Sequence, residues 1–345
     1  MEEKRLYKVT SNPIVRVKRD TRSIMLDVII ALLPAIGMGI WMFGTGAVIV
    51  LASSVISCVF FEWAYEKLMK KTNTVGDLSA VVTGLLLTCV LPASSPWWMP
   101  VIGAFFAIIV VKQLYGGIGK NFLNPALAGR AFLTAGYAAF MTRWMVPSAL
   151  AGVVDGTTMA TPLASLYGSD ALPAYYNLKS MLIGYIPGCI GEISTIAVLL
   201  GACYLLIRKV ITWRIPLAYL GTFAVLTFAL GKEGYDSLNW TLLNLASGGL
   251  VLAAFFMATD YSSSPVTPKG QLIYGVGCGL ITVLIRYYGG YPEGATYAIL
   301  IMNTCAWAID ALTRRRQFGV SAADVKEEKA KLAAEKKKAK EGAAS

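Results

Sequence analysis

The chain has 345 residues, 56% of them hydrophobic and only 15% charged, with a mean hydropathy of +0.59. Soluble domains carry roughly a quarter of charged residues, so the composition excludes an ordinary soluble domain and indicates an integral membrane protein. The net charge is +11, and nine of those charges sit in residues 1–22 and 312–345. Basic tails can bind nucleic acid, but tails that flank membrane spans act as topology signals and lipid-surface contacts, so no nucleic-acid partner is expected.

The sequence contains no histidine, which removes the commonest metal ligand, haem ligand and proton shuttle. The six cysteines, Cys58, Cys89, Cys189, Cys203, Cys278 and Cys305, stand singly in apolar runs without CxxC spacing. They read as small buried hydrophobes, and no metal site built by this chain alone is expected. The first apolar segment begins after 22 residues and is long enough to span, so it is not a cleavable leader.

A bilayer core needs about 20 apolar residues per helix. Ten segments qualify in chain order: 24–43, 46–63, 78–91, 97–111, 125–140, 190–207, 214–230, 241–258, 271–285 and 294–310. Two are weak: 78–91 is short, between Asp77 and Pro92, and 125–140 carries Arg130. Both must face protein or a cavity rather than lipid. With the N-terminus cytoplasmic, 27 of the Lys and Arg residues fall inside and 4 outside. This bias fixes the orientation under the positive-inside rule and puts both termini in the cytoplasm. Residues 141–189 then lie on the extracytoplasmic side, where Trp97, Trp98, Tyr137, Trp144, Tyr185, Trp240 and Tyr288 form an aromatic belt.

The chain repeats itself. Thr83-Gly84-Leu85, Ala93-Ser94-Ser95-Pro96 and Tyr115-Gly116-Gly117 match Gly248-Gly249-Leu250, Ser262-Ser263-Ser264-Pro265 and Tyr288-Gly289-Gly290 at offsets of 165, 169 and 173 residues. Each copy holds five spans, and an odd number inverts the second copy. The expected fold is therefore an all-α polytopic membrane protein of about ten transmembrane helices in two inverted five-helix repeats. The expected parts are a cytoplasmic segment (1–22), a first repeat (23–140), an extracytoplasmic loop (141–189), a second repeat (190–311) and a basic cytoplasmic tail (312–345).

Ionisable residues cluster at span ends: Asp27, Glu62, Asp77, Lys112, Glu192, Asp260 and Asp310. No midplane carboxylate is evident, so the chain alone is not expected to be a complete ion pump. Two inter-span loops are candidates for ligand contact. In Tyr115–Ala126 the glycines free the backbone, and Asn124 precedes Pro125 at a helix start, with Arg130 beyond. The second is Thr259-Asp260-Tyr261-Ser262-Ser263-Ser264-Pro265. A plain inter-span turn capped by Asn124 explains the first equally well.

The third polar stretch is Asp155-Gly156-Thr157-Thr158-Met159-Ala160-Thr161-Pro162. A nucleophilic hydroxyl needs a base, and the missing histidine argues against a self-contained hydrolase. A hydroxyl modified by another enzyme remains. Asp155-x-x-Thr158-x-Ala160-Thr161 resembles the flavinylation motif Asp-x-x-Ser/Thr-Gly-Ala-Ser/Thr, with Met159 where glycine is usual. Together with Asn124-Pro125-Ala126, the Gly116–Arg130 stretch and Met257-Ala258-Thr259-Asp260, it makes the chain resemble the D subunit of the Rnf complex. That family is related to the B subunit of the sodium-translocating NADH:quinone oxidoreductase, and the compact N-terminal tail fits the Rnf member better.

The resemblance implies a membrane electron-transfer subunit of a translocase that couples ferredoxin:NAD electron transfer to sodium or proton movement. It implies FMN joined to Thr161 by a phosphoester, with Asp155, Thr158, Ala160 and Pro162 in the recognition motif. Asn124, Arg130 and Asp260 are expected cofactor contacts, and riboflavin is a second flavin associated with the membrane part. No catalytic residue is expected on this chain. The implied partners are other membrane subunits, a neighbouring FMN-bearing extracytoplasmic subunit and a flavin transferase. The alternatives are the quinone-reductase subunit, or a solute channel or transporter without a redox role, since inverted repeats build those as well.

Overall fold

The computed structural model describes residues 20–150, 158–168, 173, 176–232, 234–289 and 293–314. Among them there is no strand; the protein is a bundle of helices with the two longest at its start, α1 (Thr21–Phe43) and α2 (Thr45–Leu68). Then follow α3 (Ser79–Cys89), α4 (Trp98–Gln113) and α5 (Pro125–Gly136). The middle of the chain holds two short helices, α6 (Pro162–Tyr167) and α7 (Leu178–Ile183). The second half contains α8 (Thr195–Ile207), α9 (Arg214–Leu230), α10 (Ser237–Ala246), α11 (Leu250–Met257), α12 (Pro268–Tyr288) and α13 (Ala295–Thr313).

Each of the ten apolar segments is mainly helical, but they are unequal. Among the described residues four helices, α1, α2, α12 and α13, are long and apolar enough to cross a bilayer alone, and α10 with α11 makes a fifth if the pair, bent by 67°, counts as one span. The protein is a multi-pass, all-α membrane protein. The bend falls at Ser247-Gly248-Gly249, where Gly248 takes φ +69°, a left-handed conformation that a side chain resists.

Shorter helices end inside the protein, and their backbone groups must find partners there. Where α3 stops, residues 89–92 run beside 189–191: the N–H of Ile190 donates to Leu91 at 3.1 Å, that of Gly191 donates to Cys89 at 3.0 Å, and Pro92 pairs with Cys189. Two breaks in the helical ladder thus satisfy each other. The sequence pattern starts the sixth span at 190; the helix begins at Thr195 because Cys189–Gly191 is used in this pairing and Ser194 caps the helix, its hydroxyl accepting from the N–H of Ala197 at 3.3 Å.

The charged residues expected at span ends are not all solvated. Lys112, on the π-wound half of α4, donates to both carboxylate oxygens of Glu62 at 2.7 and 2.9 Å and to Ser79 at 2.6 Å. Gln113 adds a bond to Glu62 at 3.0 Å, and Glu62 and Lys112 are 0% and 2% exposed. A buried pair is tolerable when its remaining hydrogen-bond capacity is used in this way. Trp240, read as part of an aromatic belt, is fully buried and donates to the Tyr287 hydroxyl at 2.7 Å. Of the cysteines read as buried, Cys203 and Cys305 are exposed.

Small residues let the helices approach closely, the usual means of association in lipid. A Cβ on Gly201 in α8 would collide with the Ala31 carbonyl oxygen on α1, whereas one on Gly221 in α9 meets nothing within 4 Å. Gly201→Ala is therefore expected to destabilise the protein by about 1–3 kcal/mol and to lower the thermal midpoint in detergent. Gly221→Ala should leave it unchanged or raise it slightly.

Candidate functional site

Thr161 is placed by local chemistry. Pro162 supplies a fixed φ at the first position of α6, and Thr161 before it is extended, with φ −69° and ψ 155°. Its hydroxyl oxygen accepts from the N–H of Ala164 at 3.2 Å, a side-chain cap, and the residue is only 6% exposed. The chain leading to it is also held. Thr158 pairs with Met145, the N–H of Met159 donates to Trp144 at 3.1 Å, and the carbonyl of Ala160 accepts from the Tyr176 hydroxyl at 2.5 Å. Thr158 and Ala160 are exposed, so this strip presents its edge to open space.

That space is a cavity of about 690 Å³. Thr158, Met159, Ala160 and Thr161 line it together with Arg130, Glu293, Thr296 and Tyr297, and Arg143 and Trp144 complete it. Arg130 lies one and a half turns into α5, at 7% exposure, and faces protein and a cavity, as its place in the apolar segment 125–140 requires. Its guanidinium donates to Thr296 at 2.9 Å and to the Cys189 sulfur at 3.6 Å, and forms an ion pair with Glu293. Fork-shaped donors of this kind suit several partners at fixed angles. Arg130 thereby joins α5, the 189–191 segment, the turn at Glu293 and the start of α13.

A smaller cavity of about 10 Å³ also touches Thr161, bounded by Pro162, Gly188, Glu192, Gly248 and Glu293. Cys189, Glu192 and Glu293 offer ligand-type atoms within 4.8 Å of one another. Sequence reasoning missed Glu293, Thr296 and Tyr297. Tyr288-Gly289-Gly290 entered only as a repeat match, and nothing in linear order says that the residues after it meet residue 130.

Asn124 and Asp260 lie elsewhere. Asn124 caps α5, its Oδ1 accepting from Ala126 at 3.1 Å and Leu127 at 3.3 Å, while its Nδ2 donates to the Met257 carbonyl at 3.1 Å. Asp260 follows that carbonyl by three residues, and Ser262 and Ser263 donate to its Oδ2 at 3.0 and 2.9 Å. Burial pushes the Asp260 carboxyl up, and the hydroxyls of Ser263 and Ser262 pull it back down. Asn124 and Asp260 share a narrow cavity of about 110 Å³, and Asp260 borders a second, of about 590 Å³, which reaches Phe122, Asn303 and Trp307. The expected site residues therefore fall into two groups, Thr158, Ala160, Thr161, Pro162 and Arg130 in one and Asn124 and Asp260 in the other. Asp155 lies outside the described residues.

Three curated relatives cover nearly the whole chain. The D subunit of the Na(+)-translocating ferredoxin:NAD(+) oxidoreductase complex of Acetobacterium woodii is 49% identical over 315 residues, 91% of this chain and 95% of the relative. The D subunit of the proton-translocating ferredoxin:NAD(+) oxidoreductase complex of Clostridium ljungdahlii is 41% identical, covering 92% and 97%. The D subunit of the ion-translocating oxidoreductase complex of Erwinia tasmaniensis is 35% identical, covering 91% and 98%. Residues 8–319 match the family described as NQR2, RnfD, RnfE, and the chain belongs to that family.

Proposed function

We propose that this chain is the D-type membrane subunit of an ion-translocating ferredoxin:NAD oxidoreductase and that it carries FMN on Thr161 by a phosphoester bond. Similarity to the subunits of Acetobacterium woodii and Clostridium ljungdahlii, at 49% and 41% identity, supports the first part. One observation carries the second: Thr161, the final residue of the Asp155–Thr161 motif, lines a cavity of about 690 Å³ that Arg130 also lines. That volume lies within the range of small-molecule sites, roughly 300–1,000 Å³.

The residues fit such a group. Thr161 supplies the acceptor oxygen, and the Ala164 N–H that now bonds this oxygen faces the position of an ester. Arg143 puts positive charge on the cavity wall, and Arg130, its charge balanced by Glu293, adds directed N–H donors suited to a phosphate. Glu293 holds Arg130 in place, so the guanidinium needs no reorganisation. Trp144, Tyr297, Met141 and Met159 give an apolar lining. When bound, the flavin supplies one- and two-electron transfer, and the chain supplies its position. Thr158, exposed and paired to Met145, is oriented for recognition by a transferase along with Asp155 and Ala160.

The cavities bordered by Asn124 and Asp260 are our assignment for a second, non-covalent flavin, riboflavin. Their support is Asn124 and Asp260 on a narrow cavity of about 110 Å³, with Asp260 also bordering the neighbouring cavity of about 590 Å³. The topology that goes with this reading is ten passes in two inverted repeats, in the cytoplasmic membrane, with both termini cytoplasmic and Thr161 outside. The 27-to-4 distribution of basic residues supports it. The other subunits of the complex, one of them an FMN-bearing extracytoplasmic neighbour, are the proposed partners, with a flavin transferase acting on Thr161.

Thr161→Val is expected to abolish the ultraviolet fluorescence of the denatured band while acid-extractable flavin persists. A fluorescent band, with FMN mapped to another peptide, overturns the assignment. Thr158→Ala should lower the flavin-to-protein ratio without moving the thermal midpoint, and full occupancy in that variant removes Thr158 from the recognition motif.

A further inference from the structure

The outer faces of α9 and α12 carry a groove. The two helices meet through glycines of α12: a Cβ on Gly275 would lie 2.7 Å from the Cβ of Ala218, and one on Gly279 would lie 2.9 Å from the Cβ of Thr222. That contact turns Ala218 and Thr222 toward α12. Gly221 is on the exposed side of α9, and a Cβ there meets nothing within 4 Å. Leu217, Gly221 and Val225 follow one another at four-residue spacing, so they form one stripe along α9. Leu217, Val225 and Leu272 of α12 are 60%, 69% and 43% exposed and stand as ridges beside the glycine. The result is an open apolar groove of about 420 Å³ that runs roughly 12 Å from Leu217 to Val225.

One end of the groove is positively charged. Arg214 stands three residues before Leu217, on the same side of α9. Its Nη1 donates to Oε1 of Gln271 at 3.4 Å, and the Thr212 hydroxyl donates to the same oxygen at 3.2 Å. Gln271 directly precedes Leu272, so these bonds tie the α8–α9 turn to the first turn of α12 at the groove's end. Among the described residues, Nε2 of Gln271 donates to nothing and no carboxylate pairs with Arg214. The exposed Lys209 and Lys269 stand on the two segments so joined, also without a carboxylate. The nearby acids in sequence are engaged elsewhere. Asp27 pairs with Tyr204 and Arg208, and Asp310 accepts from the N–H groups of Val266 and Thr267. Trp213, 59% exposed, sits next to Arg214, as an indole does at a membrane surface.

We propose that α9 and α12 hold one anionic phospholipid, its phosphate on Arg214 and Nε2 of Gln271 and an acyl chain in the groove over Gly221. Charge complementarity selects the headgroup: a zwitterionic lipid brings its own cation toward Lys209, Arg214 and Lys269, whereas a net negative one does not. The shape selects a flexible chain over a helix. Close helix packing in lipid uses a second small residue four positions from the first, and positions 217 and 225 are Leu and Val. The site shares no residue with the cavities at Thr161 and Asp260 and does not depend on a flavin.

The test uses the full-length chain, purified in detergent and stripped of lipid. It is titrated with dioleoyl phosphatidylglycerol or dioleoyl phosphatidylcholine, with retained lipid counted by native mass spectrometry and the thermal midpoint followed. The expected result is one phosphatidylglycerol retained per chain, with a raised midpoint, at concentrations where phosphatidylcholine is not retained. Arg214→Gln should weaken phosphatidylglycerol retention about fivefold or more. Gly221→Leu, which puts a side chain into the groove, should remove retention while the midpoint in lipid-free detergent stays unchanged. Lys71→Gln, the same charge change at the end of α2, should alter neither. Equal retention of the two lipids by the unaltered chain overturns the proposal. So does full retention in Arg214→Gln or Gly221→Leu, or an equal loss in Lys71→Gln, which makes the effect one of surface charge at large. If Gly221→Leu keeps the lipid but no longer copurifies with the other subunits of its complex, the groove docks a helix and the lipid site is wrong. If Arg214→Gln does not fold, Gln271→Leu decides in its place: weakened phosphatidylglycerol retention supports the site, and unchanged retention removes it.

Discussion

The ion pair between Arg130 and Glu293 fixes the geometry on which the Thr161 cavity depends. Arg130 comes from a helix of the first half, while Glu293 and Thr296 come from the turn before the last helix and from its first residues. A single guanidinium with fixed donor angles sets how far apart these elements stand. Its burial makes the pair both costly to break and hard to replace. Lysine would keep the charge but lose the simultaneous contacts to Thr296, Cys189 and Glu293.

The same economy appears at the helix breaks. A span that stops inside a membrane protein exposes carbonyls and N–H groups that water cannot reach. Here residues 89–92 and 189–191 pair with each other, and Arg286 covers the carbonyl end of α10. The broken pieces are consequently short and rigidly placed rather than frayed. They bring Cys189 and Glu192, ordinary members of an apolar run in the sequence, to the back of Thr161. At the other end of the bundle, Glu62 and Lys112 close a second buried pair across α2 and α4. Large apolar side chains such as Ile56, Trp41 and Val225 are exposed on the helices.

Sequence and structure agree most closely where the signal is local. Asn124-Pro125 announces a capped helix start, and the cap is present with both expected N–H donors. Thr161-Pro162 works in the same way, one residue setting φ and the other accepting the first free N–H. The double glycine at 248–249 marks the break that divides α10 from α11. Arg130, in an apolar segment that must face protein or a cavity, is carried there by the first turns of α5. Trp240 illustrates the opposite case, since a tryptophan at a span end looks the same whether its indole reaches the interface or the Tyr287 hydroxyl.

By itself the sequence determined that this is a polytopic membrane protein and where its helical segments lie. These follow from composition, from hydrophobic run length and from spacings of a few residues, all of which are properties of neighbours along the chain. Only the tertiary structure decided that Arg130, Glu293 and Thr296 face Thr161, that Asn124 and Asp260 form a separate group, and that Glu192 is buried with a free oxygen. Those contacts join residues as much as 166 positions apart. Their partners are chosen by how helices pack and where they break, which no local pattern encodes.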